Sequence, residues 1–355
     1  MRYDRRVGIL CVCVWCIWCG ICKGELPDGL VLITGQDESE RVCHRILQDD
    51  ESLKTLFDPE ERSFYVNEPL QIRLVKKREL LLRFYSPRSV RNVILWARLS
   101  SSGEQFKLAE FSYIPAFAEY RIPLSFLKNR CKYHTRSGRE IPLEKKDFDK
   151  NYKKKSGCPF KLEIESSDAY YRQLTATDCR WKISFGDYTG EHWRPLQPAH
   201  AREAVAVALN MAYLFSTNEF RQMLKTCQGK FFKDNQGTEI DIKELYNRIF
   251  NLPALVYGRV SGVNGLGGGT IFGLAEWCYL EHYADAGCIT HTLFHEFAHC
   301  LGYTHEGNMT YENNLGRGWV SFCGELYRKL GMEKKLPVYS CRFLDTRNSG
   351  IAIKR

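Results

Sequence analysis

"HEFAHCLGYTH", residues His295–His305, sets three histidines, a glutamate and a glycine at fixed intervals in an otherwise apolar segment. On a helix, residues four apart lie one above the other, so His295 and His299 share a face. Glu296 projects about 100° around from His295. Leu293, Phe294, Phe297, Ala298 and Leu301 supply the apolar flank that buries such a helix. Gly302 lacks a Cβ, so the helix can end there and the backbone can turn sharply. The turn is expected to bring His305 back toward the other two rings.

Two imidazoles at this spacing reach one tetrahedral ion with nitrogen–metal distances of about 2.0–2.1 Å. A third imidazole leaves one coordination position for solvent, with the Glu296 carboxylate beside it. That is what metal-assisted hydrolysis requires: Zn2+ as cofactor, His295, His299 and His305 as ligands, and Glu296 as the base. HExxH alone is a weak signal, because chance supplies it readily. Gly302 and His305 make it a strong one.

The segment resembles the metzincin clan of zinc metallopeptidases, whose signature H-E-x-x-H-x-x-G-x-x-H precedes a methionine turn. "GNMTY" (Gly307–Tyr311) is similar to the S-x-M-x-Y turn of astacin- and serralysin-like members. The resemblance implies that Met309 forms a hydrophobic floor below the metal and that Tyr311 can ligate zinc or swing to stabilise an oxyanion. Only three residues separate His305 from Met309, far fewer than in most members, so the module looks reduced. Glu306 is similar to the glutamate of the astacin "HE", but the rest of that extended signature is missing. The likeness spans about Thr292–Tyr311, implies the clan rather than one family in it, and is to small secreted bacterial members with an N-terminal β-domain.

Outward from the motif the two halves of the chain differ. Between Ser63 and Asp187, "SFYVNEPLQIRLV", "ELLLRFY", "RNVILWARLS", "FKLAEFSYI", "AEYRIPLSF", "PFKLEIE" and "CRWKISFGD" are short, alternating and rich in β-branched and aromatic residues. They predict about seven strands without helical interruption, hence a β-sandwich. After Pro198, "AHAREAVAVALNMAYLF", "TNEFRQMLKTC" and "DIKELYNRIF" predict helices. "ALVYGRV" and "TIFGLAEWCYL" predict strands, with "SGVNGLGGG" as a flexible loop between them. "GLAEWCYL" is placed as the edge strand of the cleft, where a peptide would pair through its main chain. "GWVSFCGELYRKLG" predicts a last helix closed by Gly331. The expectation is an α+β protein: a β-sandwich domain over residues 25–187, a reduced metzincin-like domain over 188–345 and a tail over 346–355.

Residues 1–24 read as an export signal, with arginines ahead of an apolar run from Val7 to about Cys22 that is short for a spanning helix. Cys22 is a weak match to a lipid-anchoring site. No later run is long enough to span a bilayer, and a secreted, cell-surface or periplasmic protein is expected. The ten cysteines after the leader permit disulfides without fixing their pairing. With no CxxC pair among them, a cysteine zinc ribbon is disfavoured. Cys300 is expected as a buried thiol or disulfide partner, and Cys158 does not match a latency motif. His291 reads as exposed or capping rather than as a ligand, and the "NMT" sequon at Asn308 as fortuitous. The net charge of +9 is modest, and its densest run, "EKKDFDKNYKKKSG", reads as a solvated loop, so no nucleic-acid partner is expected. Protein or peptide is the expected substrate. The alternative is a binding or adhesion protein with a non-catalytic zinc site; a β-half acting as a removable inhibitory segment is the third possibility.

Overall fold

The structure, a computed structural model, describes residues 31–33, 43–75, 79–99, 103–127, 130–154, 160–227, 231–282, 287–312 and 317–338. The expected leader with Cys22, the Cys158 position and the tail at 346–355 lie outside them. No helix among the described residues is long and apolar enough to cross a membrane. The protein is α+β.

Alternating apolar positions carry much of the first half into two four-stranded sheets. In spatial order one comprises Val31–Ile33, Gln105–Ile114, Val90–Leu99 and Phe160–Ser166. The other comprises Cys43–Arg45, Ala118–Pro123, Glu79–Phe84 and Leu70–Val75. Phe111 of the first meets Tyr120 of the second edge to face, with ring centroids 5.3 Å apart. The strand pattern is nevertheless interrupted by helices at Lys145–Lys154 and Ala169–Thr175. The first is the lysine run expected as a loop; Phe148 is buried, giving the helix an apolar anchor beneath its charged surface.

"SFYVNEPLQIRLV" is two strands in two sheets, not one. Ser63–Tyr65 pairs with Lys182–Phe185, whereas Leu70–Val75 pairs with Glu79–Phe84. Pro69, which has no amide proton to give a ladder, sits between them.

The third sheet carries the motif helix. Its order is Gly265–Gly268, Ile271–Ala275, Ala254–Val260, Lys182–Phe185 and Ser63–Tyr65, with Trp193–Arg194 pairing to the end of Ala254–Val260. The three central strands are parallel; Gly265–Gly268 and Ser63–Tyr65 run antiparallel to their neighbours. This sheet crosses the boundary expected at residues 187/188, since two of its strands come from the first half. One hydrophobic cluster runs from Ile46 to Leu336. An ion pair ties the halves together as well: the buried Arg202 lies 2.8 Å from Oδ1 of the half-buried Asp49 and donates to Leu47 O at 2.5 Å.

Pro198–Ser216 is the long helix expected from its apolar run, and nearly all of it is buried. Pro198 occupies its first turn, where the missing amide proton costs nothing. The motif helix, Gly287–Cys300, packs its apolar back on Phe215, Trp181 and Trp319. Phe215 stacks on Phe297 at 5.0 Å and on Trp319 at 5.8 Å. Trp319 begins the last helix, Trp319–Met332, and its indole donates to Phe294 O at 3.2 Å. That helix passes through Gly331 rather than stopping at it; Lys334, with φ of 57°, makes the left-handed turn beyond.

Two expectations around the cleft exchange places. "TIFGLAEWCYL" is strand only over Ile271–Ala275 and becomes a helix at Glu276–Glu281. The edge strand is Gly265–Gly268, inside the stretch expected as a flexible loop. Glycines have low strand propensity, so the stretch reads as a loop until its neighbours are known.

No two described cysteines lie at disulfide distance. Cys179, Cys300 and Cys323 are buried thiols, and Cys300 donates to Ile271 O at 3.2 Å. The disulfides that the cysteine count permits are thus not formed among the described residues.

Candidate metal centre

The motif helix ends in a Schellman cap. Gly302 has φ of +89°, Gly302 N donates to His299 O at 3.0 Å and Tyr303 N to Ala298 O at 3.0 Å. The reversal carries His305 back to the helix face bearing His295 and His299. His299 Nε2 then lies 3.2 Å from His295 Nε2 and 3.1 Å from His305 Nε2. Nitrogens held at about 2.0–2.1 Å on a tetrahedral ion stand about 3.3 Å apart, which both of these pairs match, and the three ligand atoms all lie within 4.8 Å of one another.

Hydrogen bonding fixes which nitrogen faces inward. His295 Nδ1 donates to Thr310 O at 2.9 Å and His299 Nδ1 to Tyr303 O at 2.7 Å. A carbonyl can only accept, so each Nδ1 carries the proton and each Nε2 presents a lone pair. Burial, opposed by the bond to Thr310 and reinforced by the neighbouring imidazoles, pushes His295 down to about 4. Burial lowers His299 too. Two neutral rings with lone pairs in contact repel each other unless a cation lies between them, and the donor set fits Zn2+. Among the described residues these three alone form such a group.

Glu296, the residue after His295 on the same helix, is 5% exposed. Burial raises its carboxyl to about 7, against an opposing hydrogen bond from the Gly267 amide. The edge strand approaches so closely that a Cβ at Gly265 would lie 2.5 Å from Glu296 Cγ and Oε1. One at Gly267 would lie 2.4 Å from the Glu296 backbone oxygen. Gly265 and Gly267 are therefore a steric condition for seating the carboxylate under the edge strand.

Tyr311 lies across the site, its ring centroid 4.5 Å from that of His295 and 4.8 Å from that of His305. It is 45% exposed, which leaves the phenol room to move. Met309 is fully buried. His291 is exposed one turn before His295, its ring 5.9 Å away and outside the ligand group. Asn308 is fully buried, with its amide bonded to Phe231 O and Lys233 N, so the sequon cannot carry a glycan in this fold.

Sequence reading missed two contributors. Gly265 and Gly267 act only through their distance to Glu296. The segment Phe231–Ile240 bears a turn signal, "DNQG", that could have marked it as a hairpin. Comparison with known proteins adds nothing further: no family model, curated protein or solved structure matches this chain.

Proposed function

We propose that the protein is an exported zinc-dependent endopeptidase of metzincin type, with the two four-stranded sheets as the layers of an accessory sandwich. The observation that carries this reading is the convergence of three imidazole nitrogens, two of them presenting lone pairs, on a helix whose buried Glu296 carboxylate lies against the edge strand of a sheet. His295, His299 and His305 would hold the metal. When bound, zinc supplies Lewis acidity and lowers the pKa of its water toward ~7.

The chain's own residues do the rest. An extended substrate segment pairs its main chain with Gly265–Gly268, which among the described residues has a strand on one side only. Glu296 accepts a proton from the attacking water at its carboxylate and returns it to the leaving amine. In the metal-free chain burial raises this carboxyl to about 7, and beside a bound dication it would return toward the carboxylate form that accepts the proton. Tyr311 donates its phenolic hydrogen to the oxygen on which negative charge develops. A structural site has no use for a buried base, which favours hydrolysis over the binding alternative.

The test is zinc content and peptide turnover of purified protein, parent against Glu296→Gln. The variant is expected to bind one zinc per chain and lose about 10²–10⁴-fold in kcat. Parental turnover in that variant, or a parent that binds zinc yet cleaves nothing in a broad peptide library, would overturn the proposal.

A further inference from the structure

The third histidine differs from the other two. His295 and His299 stand on a helix and are oriented by carbonyls, whereas His305 is exposed on a loop. Only Glu306, Gly307 and Asn308 separate it from Met309, and within the loop a single side-chain bond, Thr310 Oγ1 to Thr304 O at 2.9 Å, spans its position. Its position depends on whatever holds the backbone on either side.

A hairpin from elsewhere in the chain provides that hold. Phe231–Ile240 folds back on itself through a Lys233–Glu239 bridge and a bond from Ile240 N to Phe232 O at 3.0 Å. Its tip is locked by Asp234 Oδ1, which accepts from Gln236 N at 2.9 Å and Thr238 N at 2.8 Å. From this tip Asn235 Oδ1 accepts the amide of Thr304, the residue before His305, at 2.8 Å. Asn235 Nδ2 donates to Gly302 O at 3.4 Å. On the far side of His305, Asn308 grips the hairpin in return. Its Oδ1 accepts Lys233 N at 2.7 Å and its Nδ2 donates to Phe231 O at 2.6 Å. Between these contacts the hairpin backbone lies on Gly307, where a Cβ would stand 2.3 Å from Lys233 O and 2.4 Å from Asp234 O.

We infer that the Phe231–Ile240 hairpin is a clamp that positions His305 for metal binding, with Asn235 as its positioning residue. The inference rests on the zinc reading above and extends it to a part of the chain remote from the motif. The gain is preorganisation: an exposed imidazole held in place loses less freedom on binding than one on a free loop.

The experiment measures zinc affinity of the full chain by competition with a chromophoric chelator. Cobalt(II) absorption reports the ligand set independently of turnover. Asn235→Ala removes both side-chain bonds and is expected to weaken zinc binding by about 10–100-fold, the usual cost of losing an outer-shell partner. Its cobalt spectrum should move toward that of His305→Ala. Asn235→Asp keeps the acceptor for Thr304 N and should recover most of the affinity. In a His305→Ala background, Asn235→Ala should change affinity less than about twofold, since its effect passes through that ring. Parental affinity in a folded Asn235→Ala, or an equal further loss in the His305→Ala background, overturns the clamp while leaving the zinc site standing. A parent chain that binds no zinc overturns both. Because Asn235 is only partly buried, its substitution spares the core; should Ala fail to fold, Asn235→Ser gives the same comparison.

Discussion

Replacing Gly267 by alanine isolates the contact between the edge strand and the motif helix. The new Cβ would lie 2.4 Å from the Glu296 backbone oxygen, where an ordinary contact needs about 3.4 Å. Strand and helix must therefore separate by about 1 Å, and because the obstacle is helix backbone no rotamer change relieves it. Overpacking of this kind costs about 1–3 kcal/mol. A displacement of about 1 Å at a reacting group costs about 10²-fold in rate. Gly269→Ala is the control: nothing lies within 4 Å of its Cβ, but its φ of +57° adds backbone strain of about 1–2 kcal/mol. Urea unfolding of the metal-free proteins reads the stability terms, and kcat/KM on a peptide substrate reads the positioning term. Both variants should lose stability, but only Gly267→Ala should lose about 10²-fold in kcat/KM per folded molecule. Equal kcat/KM in the two variants would show that the strand does not seat the base.

Three further outcomes are expected. His200 is buried, and burial, aided by Arg259 and opposed by Glu276, lowers it from 6.5 to about 4. The unfolded chain therefore takes up a proton that the folded chain refuses as pH falls from about 6.5 to 4. Stability from this residue is intact above that window and falls by up to about 3 kcal/mol through it, so His200→Gln should flatten the acid limb of a urea-midpoint profile. Asp49→Ala removes the carboxylate 2.8 Å from the buried Arg202 and should lower stability in one cooperative transition spanning the whole chain. If instead the first half unfolds separately and leaves an active remainder, it is a detachable segment. Chelation should lower the melting temperature reversibly, reflecting about 4 kcal/mol at free zinc a thousandfold above Kd, and His299→Ala should abolish that dependence.

The motif was readable because a helix is a local object. Spacings of four residues and a glycine at the helix end determine which side chains share a face and where the chain can reverse, whatever surrounds them. By itself, therefore, the sequence determined the convergence of His295, His299 and His305, the apolar back of their helix, the long buried helix at Pro198–Ser216 and most strands of the first half. Relations between distant segments were another matter. That Ser63–Tyr65 and Lys182–Phe185 belong to the sheet beneath the site depends on pairing across more than a hundred residues, and periodicity carries no information about partners. The glycines at 265 and 267 looked like a loop because their meaning lies in the 2.4–2.5 Å that a side chain would leave to Glu296. Asn235 and Asn308 looked like a turn residue and a sequon. Only when tertiary packing set the hairpin against the His305 loop did their amides become partners for backbone groups some seventy residues away.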